Sequence, residues 1–362
     1  MGDATPAVAA PGARPGGARP PRTAMRVVRM VLTWTAVAAV FVAAGFAVRA
    51  NGRAVTAALG SYEPVHVALA GVVVLAGILC SALGWHALLD SLGTRVRFRR
   101  AAPLYFVGML GKYVPGSVWA YVLQIALARR AGIRRTQTLA TTLANVAVVA
   151  VSGLAVGILT IPELSGQPAY RPYLWLFVFV PVIVVLLIPA VFNRLLLLAL
   201  RLVRVTPPDA VLRVAPLLRA AGWSALGYGL FGLHLWLLLP PHAADGSALL
   251  LCIGSMGLAM IASLVFFILP AGLGAREAVI VAVLAPAVGT GAALAAALVS
   301  RLLFTVGDLA LAGGALGVGA VLRARARRER TAGRASVPVP PEASARTPLD
   351  EVAVVPPARE EA

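Results

Sequence analysis

The sequence predicts an all-α polytopic membrane protein with six full transmembrane helices and two oppositely oriented re-entrant helical hairpins. Three observations predict it. Of 362 residues, 60% are apolar and only 13% charged, against roughly 25% charge in soluble domains. Apolar runs recur from residue 27 to residue 321, each about 20 residues long, the length that crosses a hydrocarbon core of about 30 Å. Two further apolar stretches carry Pro and Gly at their centres and must begin and end on one side of the membrane.

Residues 1–24, rich in Pro, Ala and Arg, read as a disordered basic tail. The membrane domain covers 25–322, and 323–362 is a basic and then disordered C-terminal tail. Full spans are expected at 27–48, 64–89, 136–161, 173–198, 220–240 and 296–321. No convincing small-residue cleavage site accompanies the first, which reads as a retained signal anchor.

The net charge of +18 is distributed between the spans. Arginines crowd before the first span, at 95–100, at 129–135, at 194–219 and at 323–330, while the intervening loops hold only Arg49, Arg53 and Arg171. By the positive-inside rule both termini are cytoplasmic, in a multi-pass protein of the cell inner (cytoplasmic) membrane. Such a basic face suits anionic headgroups, so the charge implies membrane lipids as partners and no nucleic acid.

The stretch 101–128 starts after Arg99-Arg100 and ends before Arg129-Arg130. A single crossing cannot start and finish on one side. Its centre, Gly111-Lys112-Tyr113-Val114-Pro115-Gly116-Ser117, breaks the helix, which predicts a hairpin entered from the cytoplasm. The stretch 247–288 has both ends outside and is interrupted at Leu269-Pro270-Ala271-Gly272-Leu273-Gly274-Ala275-Arg276-Glu277, predicting a second hairpin from the opposite side. Span, span, hairpin, span thus occurs twice with inverted orientation, an order that fits repeats at 27–161 and 173–321.

Ionisable groups at membrane depth cost several kcal/mol unless paired or wet. They single out Lys112, the sole lysine, with Arg276, Glu277, Arg301 and Asp308. Arg301 and Asp308 share a helix face about 10 Å apart, and the expected pairings are Glu277 with Arg301 and Arg276 with Asp308. Ser117 is placed to cap the second arm of its hairpin, turning a positive helix end toward Lys112. The Pro270–Arg276 turn is expected to offer backbone N–H groups beside a guanidinium, a combination suited to phosphate. The candidate substrate-binding residues are therefore Lys112, Tyr113, Pro115, Gly116, Ser117, Gly272, Gly274, Arg276, Glu277, Arg301 and Asp308.

Plainer readings stand beside these. Lys112 could snorkel to the interface, Arg276-Glu277 could pin a turn, and Arg301 could lie near the outer interface. Trp85, Trp119, Trp175 and Trp236 read as interfacial anchors. Cys80 and Cys252 read as packing residues, and the four histidines lack metal-ligand spacing. Gly272-Leu273-Gly274 is no dinucleotide fingerprint, since no strand precedes it. No nucleophile-base pair, paired acids or nucleotide loop appears, so neither an enzyme nor a cofactor is expected.

Gly-Lys-Tyr-Val-Pro-Gly-Ser-Val-Trp at 111–119, Leu-Pro-Ala-Gly-Leu-Gly-Ala-Arg-Glu at 269–277 and Ser-Arg-Leu-Leu at 300–303 resemble the membrane region of the lysylphosphatidylglycerol synthase/flippase family. Ala271 stands where relatives often carry glycine. The resemblance implies a flippase-like domain that translocates lipids such as aminoacylated phosphatidylglycerol, or one that moves another anionic phospholipid or lipid-linked substrate beside a separately encoded synthase or polyprenyl-phosphate glycosyltransferase. The soluble aminoacyl-transferase domain of bifunctional members has no counterpart in this sequence. Two other readings remain: a scaffold or regulator of a cell-envelope lipid or glycan synthase, and an ion-coupled carrier of a small anion. Oligomeric state is not legible.

Overall fold

A computed structural model describes residues 52–114, 118–160, 188–202, 213–266 and 269–335, with single positions at 49, 166 and 185. The expected span at 27–48, most of that at 173–198, and Pro115, Gly116, Ser117 and Trp175 lie outside the described residues. All regular structure among the described residues is helical: α1 Gly52–Gly60, α2 Pro64–Ser91, α3 Phe98–Met109, α4 Val118–Arg130, α5 Arg135–Gly157, α6 Pro189–Leu202, α7 Val214–Trp236, α8 Gly246–Val265, α9 Ala275–Val288 and α10 Thr290–Ala335. Two units divide this chain at residues 316 and 317. The second is helical as far as Ala335.

Among the described residues, five stretches have the length and hydropathy to cross a membrane: Pro64–Ser91, Arg135–Thr160, Gly246–Val265, Pro270–Val288 and Thr290–Val321. The chain is a membrane protein. Expected at 220–240, the span formed by α7 starts at Val214, is long enough at about 34 Å, and falls outside those five. Its sequence explains why, since Arg219, Ser224, Tyr228 and His234 interrupt the apolar run.

Pro64 sits in the first turn of α2, where its missing N–H costs no helical bond. Along that helix small residues admit a close neighbour: a Cβ on Gly77 would collide with the Phe231 ring, and one on Gly84 would press on Ala220 and Trp223. Ascending positions on α2 meet descending positions on α7, so the two helices are antiparallel. They are also the second elements of the two expected repeats. Gly153 and Gly157 of α5 likewise meet Gly257 and Leu258 of α8, the small-residue approach by which helices associate in lipid.

The first interrupted stretch forms an antiparallel helical pair. α3 and α4 have 12 and 13 residues, about 18 and 20 Å, each shorter than a hydrocarbon core. Gly108 packs on Gln124 and Gly111 on Ala120. Between the arms, a 3₁₀ turn at Leu110–Tyr113 leads into extended Val114, the conformation imposed on a residue before proline.

The second stretch is less symmetrical than expected. α8 has 20 residues, about 30 Å, enough to cross alone, whereas α9 has 14, about 21 Å. Asp245 caps α8 by accepting the Ala248 N–H at 2.7 Å. The break holds a 3₁₀ turn at Pro270–Gly272. That turn packs against the Leu110–Tyr113 turn, so the two interruptions meet.

Of the expected interfacial anchors, Trp119 is exposed, but Trp85 is 1% exposed in the core, where its ring lies 5.6 Å from that of Tyr105. Trp85 is a packing residue, because the core that it shares with Tyr105 of α3 covers it. Trp236 donates to the Asp245 carbonyl at 3.0 Å, tying α7 to the loop before α8. Cys80 and Cys252 are free and buried, as expected of packing residues.

Candidate anion site between two interrupted helices

The two breaks and α10 line a cavity of about 250 Å³. Lys112 and Tyr113 reach it from the first break, Ala271 and Arg276 from the second, and Arg301 and Asp308 from α10. Aromatic and aliphatic groups complete the walls, among them Trp85, Phe106, Val149 and Phe231.

Asp308 ties the first break to α10. Its Oδ2 lies 2.6 Å from Lys112 Nζ and accepts the Tyr113 hydroxyl at 2.6 Å. Asp308 is 5% exposed, so two donors on one oxygen offset the cost of burying a carboxylate. Lys112 therefore does not simply snorkel to an interface.

Arg301 ties the second break to the same helix. Its Nη1 lies 2.6 Å from Glu277 Oε1, and its Nη2 donates to the Pro270 carbonyl at 3.5 Å. The other Glu277 oxygen accepts the Gly274 N–H at 2.7 Å, so this carboxylate also caps α9 from its third position. The expected Glu277–Arg301 pair is present.

The expected Arg276–Asp308 pair is not. Arg276 lies at the level of Ser300, eight residues and about 12 Å along α10 from Asp308. Its guanidinium stacks 3.8 Å from the centre of the Phe304 ring and donates to Ser300 Oγ at 3.2 Å, with Met256 Sδ at 4.0 Å. Arg276 is 8% exposed, and among the described residues no carboxylate lies within ion-pair distance of it.

The backbone of the second break also differs from expectation. Gly272 N–H is bonded to the Leu269 carbonyl at 3.2 Å and Leu273 N–H to the Pro270 carbonyl at 3.0 Å, while Gly274 N–H is held by Glu277. These three donors serve the turn itself and are not free for an anion. Gly272 and Gly274 have φ of 66° and 85°, and Ala271 is the only described non-glycine residue with positive φ, at 50°.

Sequence reasoning missed three partners. His234 is fully buried, with Nε2 2.9 Å from Ser300 Oγ. Phe304 forms the stacking face for Arg276 and lies 4.8 Å from Phe231. Thr305 donates to the Arg301 carbonyl at 2.9 Å. A helical reading of α10 could have found most of this set, since 300, 304 and 308, and likewise 301, 305 and 308, share a face. His234 gave no local signal because its partner is 66 residues away.

No curated protein matches this chain. A family model described as "Lysylphosphatidylglycerol synthase TM region" matches residues 33–312, a stretch that contains both breaks, all of the cavity's charged residues and α10 as far as Ala312. Membership associates the chain with a membrane lipid-related function. The chain belongs to the lysylphosphatidylglycerol synthase TM region family.

Proposed function

We propose that this protein translocates an anionic phospholipid or lipid-linked substrate across the cytoplasmic membrane without chemically altering it. The observation that carries the reading is Arg276: a buried guanidinium on the wall of a cavity, stacked on Phe304, with no carboxylate of the described residues within ion-pair distance. A lone buried cation is costly. It becomes favourable when an anion supplies the missing charge, and a guanidinium fork matches phosphate in bidentate fashion. The volume of about 250 Å³ falls below the roughly 300–1,000 Å³ of drug-sized pockets, which suits a headgroup whose tails stay in lipid.

In this reading α3–α4 and α8–α9 are re-entrant hairpins from opposite leaflets, six full spans surround them, both termini are cytoplasmic, and the two halves are inverted repeats. The short arms of α3, α4 and α9 and the meeting of the two breaks support it. Interrupted helices of corresponding position that meet at a polar centre are the usual plan of such carriers. Energy comes from the substrate gradient or a partner enzyme.

Liposomes containing the full chain and a short-chain fluorescent phosphatidic acid test the proposal through quenching of the outer leaflet. The protein accelerates leaflet exchange, and Arg276→Ala slows it at least about tenfold, the loss expected when a buried charged hydrogen bond of roughly 1.5–3 kcal/mol is removed. Exchange equal to that of protein-free liposomes, with phosphatidic acid and other anionic lipids alike, overturns it.

A further inference from the structure

Asp308 is out of place in a cavity that takes an anion. It is the one carboxylate among the charged residues lining that cavity, it is buried, and an anion brought beside it meets like charge at close range. Glu277, the carboxylate of the second break, does not line the cavity and keeps the Gly274 N–H whatever Arg301 does. Asp308 has no such reserve. Among the described residues Lys112 is the only cation within ion-pair distance of it, and its other donor, the Tyr113 hydroxyl, is neutral.

The cations of the cavity are not equally free to move. Arg276 is pinned between the Phe304 ring and Ser300, and Arg301 between Glu277 and the Pro270 carbonyl. Lys112 is held through Asp308, with the Tyr113 ring 5.4 Å away, and carries its charge on a flexible stem with three donors. An anion entering the cavity therefore recruits Lys112 by turning it away from Asp308. That leaves a buried carboxylate without its counter-charge, and a buried group so placed neutralises rather than stay ionised. Because Asp308 lines the cavity, a proton can reach it from there.

The other ionisable groups around Asp308 do not replace Lys112. Tyr105 of α3 and Arg276 of α9 lie within electrostatic range of it, and Arg301 is about 10 Å away along the same helix. Tyr105 is neutral, and both arginines face the incoming anion. Tyr121 of α4 and Tyr228 of α7, which also line the cavity, are neutral as well. α2 presents only Val74, Leu75 and Ile78 to Gly307, the residue before Asp308.

We infer that the anion crosses together with one proton, carried on Asp308. The carboxylate takes the proton from water as Lys112 turns to the anion, forming one O–H bond. It returns the proton to water on the far side as Lys112 comes back, and Lys112 stays an ammonium throughout. For a lipid with a single negative charge the cargo is then electrically neutral. A membrane potential does not move such a cargo, and a proton gradient adds to the substrate gradient or opposes it. The inference rests on the translocation reading above.

Liposomes holding the full chain and a trace of short-chain fluorescent phosphatidylglycerol, which bears one negative charge, separate this from transport of the anion alone. The readout is the ratio of label between the leaflets once exchange has levelled off, which does not depend on rate, so slowed variants still report. Under a potassium diffusion potential of about 100 mV set with valinomycin, a lone anion redistributes about fiftyfold and an anion with its proton does not. Under a pH difference of about one unit without a potential, the coupled cargo gathers about tenfold in the leaflet facing the alkaline side, while a lone anion stays even. The unmodified chain follows the coupled pattern, over a time in which protein-free liposomes respond to neither gradient. Asp308→Asn follows the lone-anion pattern, because an amide does not take the proton. Lys112→Gln does the same, since Asp308 then has no cation to exchange, and it serves where the asparagine variant does not fold. A fiftyfold response to potential in the unmodified chain, or a pH response retained by either variant, overturns the inference and leaves translocation standing. Absence of exchange under every condition overturns the translocation reading and this inference with it.

Discussion

Arg276 and Ala271, five residues apart, bear opposite kinds of cost. The guanidinium of Arg276 gives up hydration and recovers part of the loss from Phe304 and Ser300, since a desolvated cation over an aromatic face gains about 2 kcal/mol. Arg276→Lys keeps the charge but not the planar fork or the stacking. Lysine at 276 therefore leaves leaflet exchange closer to the alanine variant than to the unmodified chain, and exchange comparable to the latter would show that charge alone suffices. Ala271 instead carries backbone strain. Its φ of 50° lies in the left-handed region, which costs an L-residue roughly 1–2 kcal/mol. Glycine removes that strain while adding freedom to the unfolded chain, so Ala271→Gly leaves the thermal midpoint in detergent unchanged or slightly raised. Ala271→Val, β-branched at the same φ, lowers it by several degrees. Equal midpoints for Gly and Val would contradict the left-handed assignment. The sign of φ was not legible in the sequence, because alanine gives no local warning of the left-handed region.

At the scale of elements, α10 is the post to which both breaks are tied, through Asp308 to the first and Arg301 to the second. Glu277 belongs to both an ion pair and a helix cap, so its removal acts twice. Glu277→Gln weakens the Arg301 pair yet retains a side chain able to cap, whereas Glu277→Ala loses both. A double-mutant cycle with Arg301→Ala, read from thermal midpoints, gives a coupling of about 1–3 kcal/mol, as contacting residues in one network do; additive midpoints would mean that the pair does not hold the break. Much of this arrangement was legible in sequence. Charges in apolar runs mark a site because lipid penalises them, and Pro and Gly mark breaks because they lack donors or side-chain constraint. The partner of Arg276 was not legible. Asp308 offered the right charge on the right helix, but the packing of α9 set Arg276 against Ser300 and Phe304 of α10, two turns from Asp308, and α7 brought His234 to the same Ser300. Spacing along a helix gives its faces; which neighbour fills each face depends on packing between distant segments.

On the scale of the whole molecule, length and flanking charge make different statements about the two interrupted regions. α3 and α4 are each too short to cross alone, and the arginines at both their outer ends belong on one side. α8 can cross by itself and α9 cannot without the preceding break or local thinning of the bilayer, so hydropathy counts two crossings where the charge pattern expects one dip. The repeated architecture requires charge pattern to prevail in both regions. Cysteines placed one at a time at the exposed positions Arg99, Ala131, Ser247 and Thr290, in a chain whose buried Cys80 and Cys252 are replaced by alanine, separate the alternatives. With a membrane-impermeant maleimide, 99 and 131 label from the cytoplasmic face alone, while 247 and 290 label from the outer face alone. Labelling of 99 and 131 from opposite faces would make α3–α4 a single kinked crossing, put the second half in the same orientation as the first, and remove the symmetry that brings two breaks together from opposing leaflets. Agreement of 99 with 131 but disagreement of 247 with 290 would confine re-entrance to the first hairpin, leaving α8 to carry Met256 across the bilayer and the second break to approach the cavity from the end of a full span.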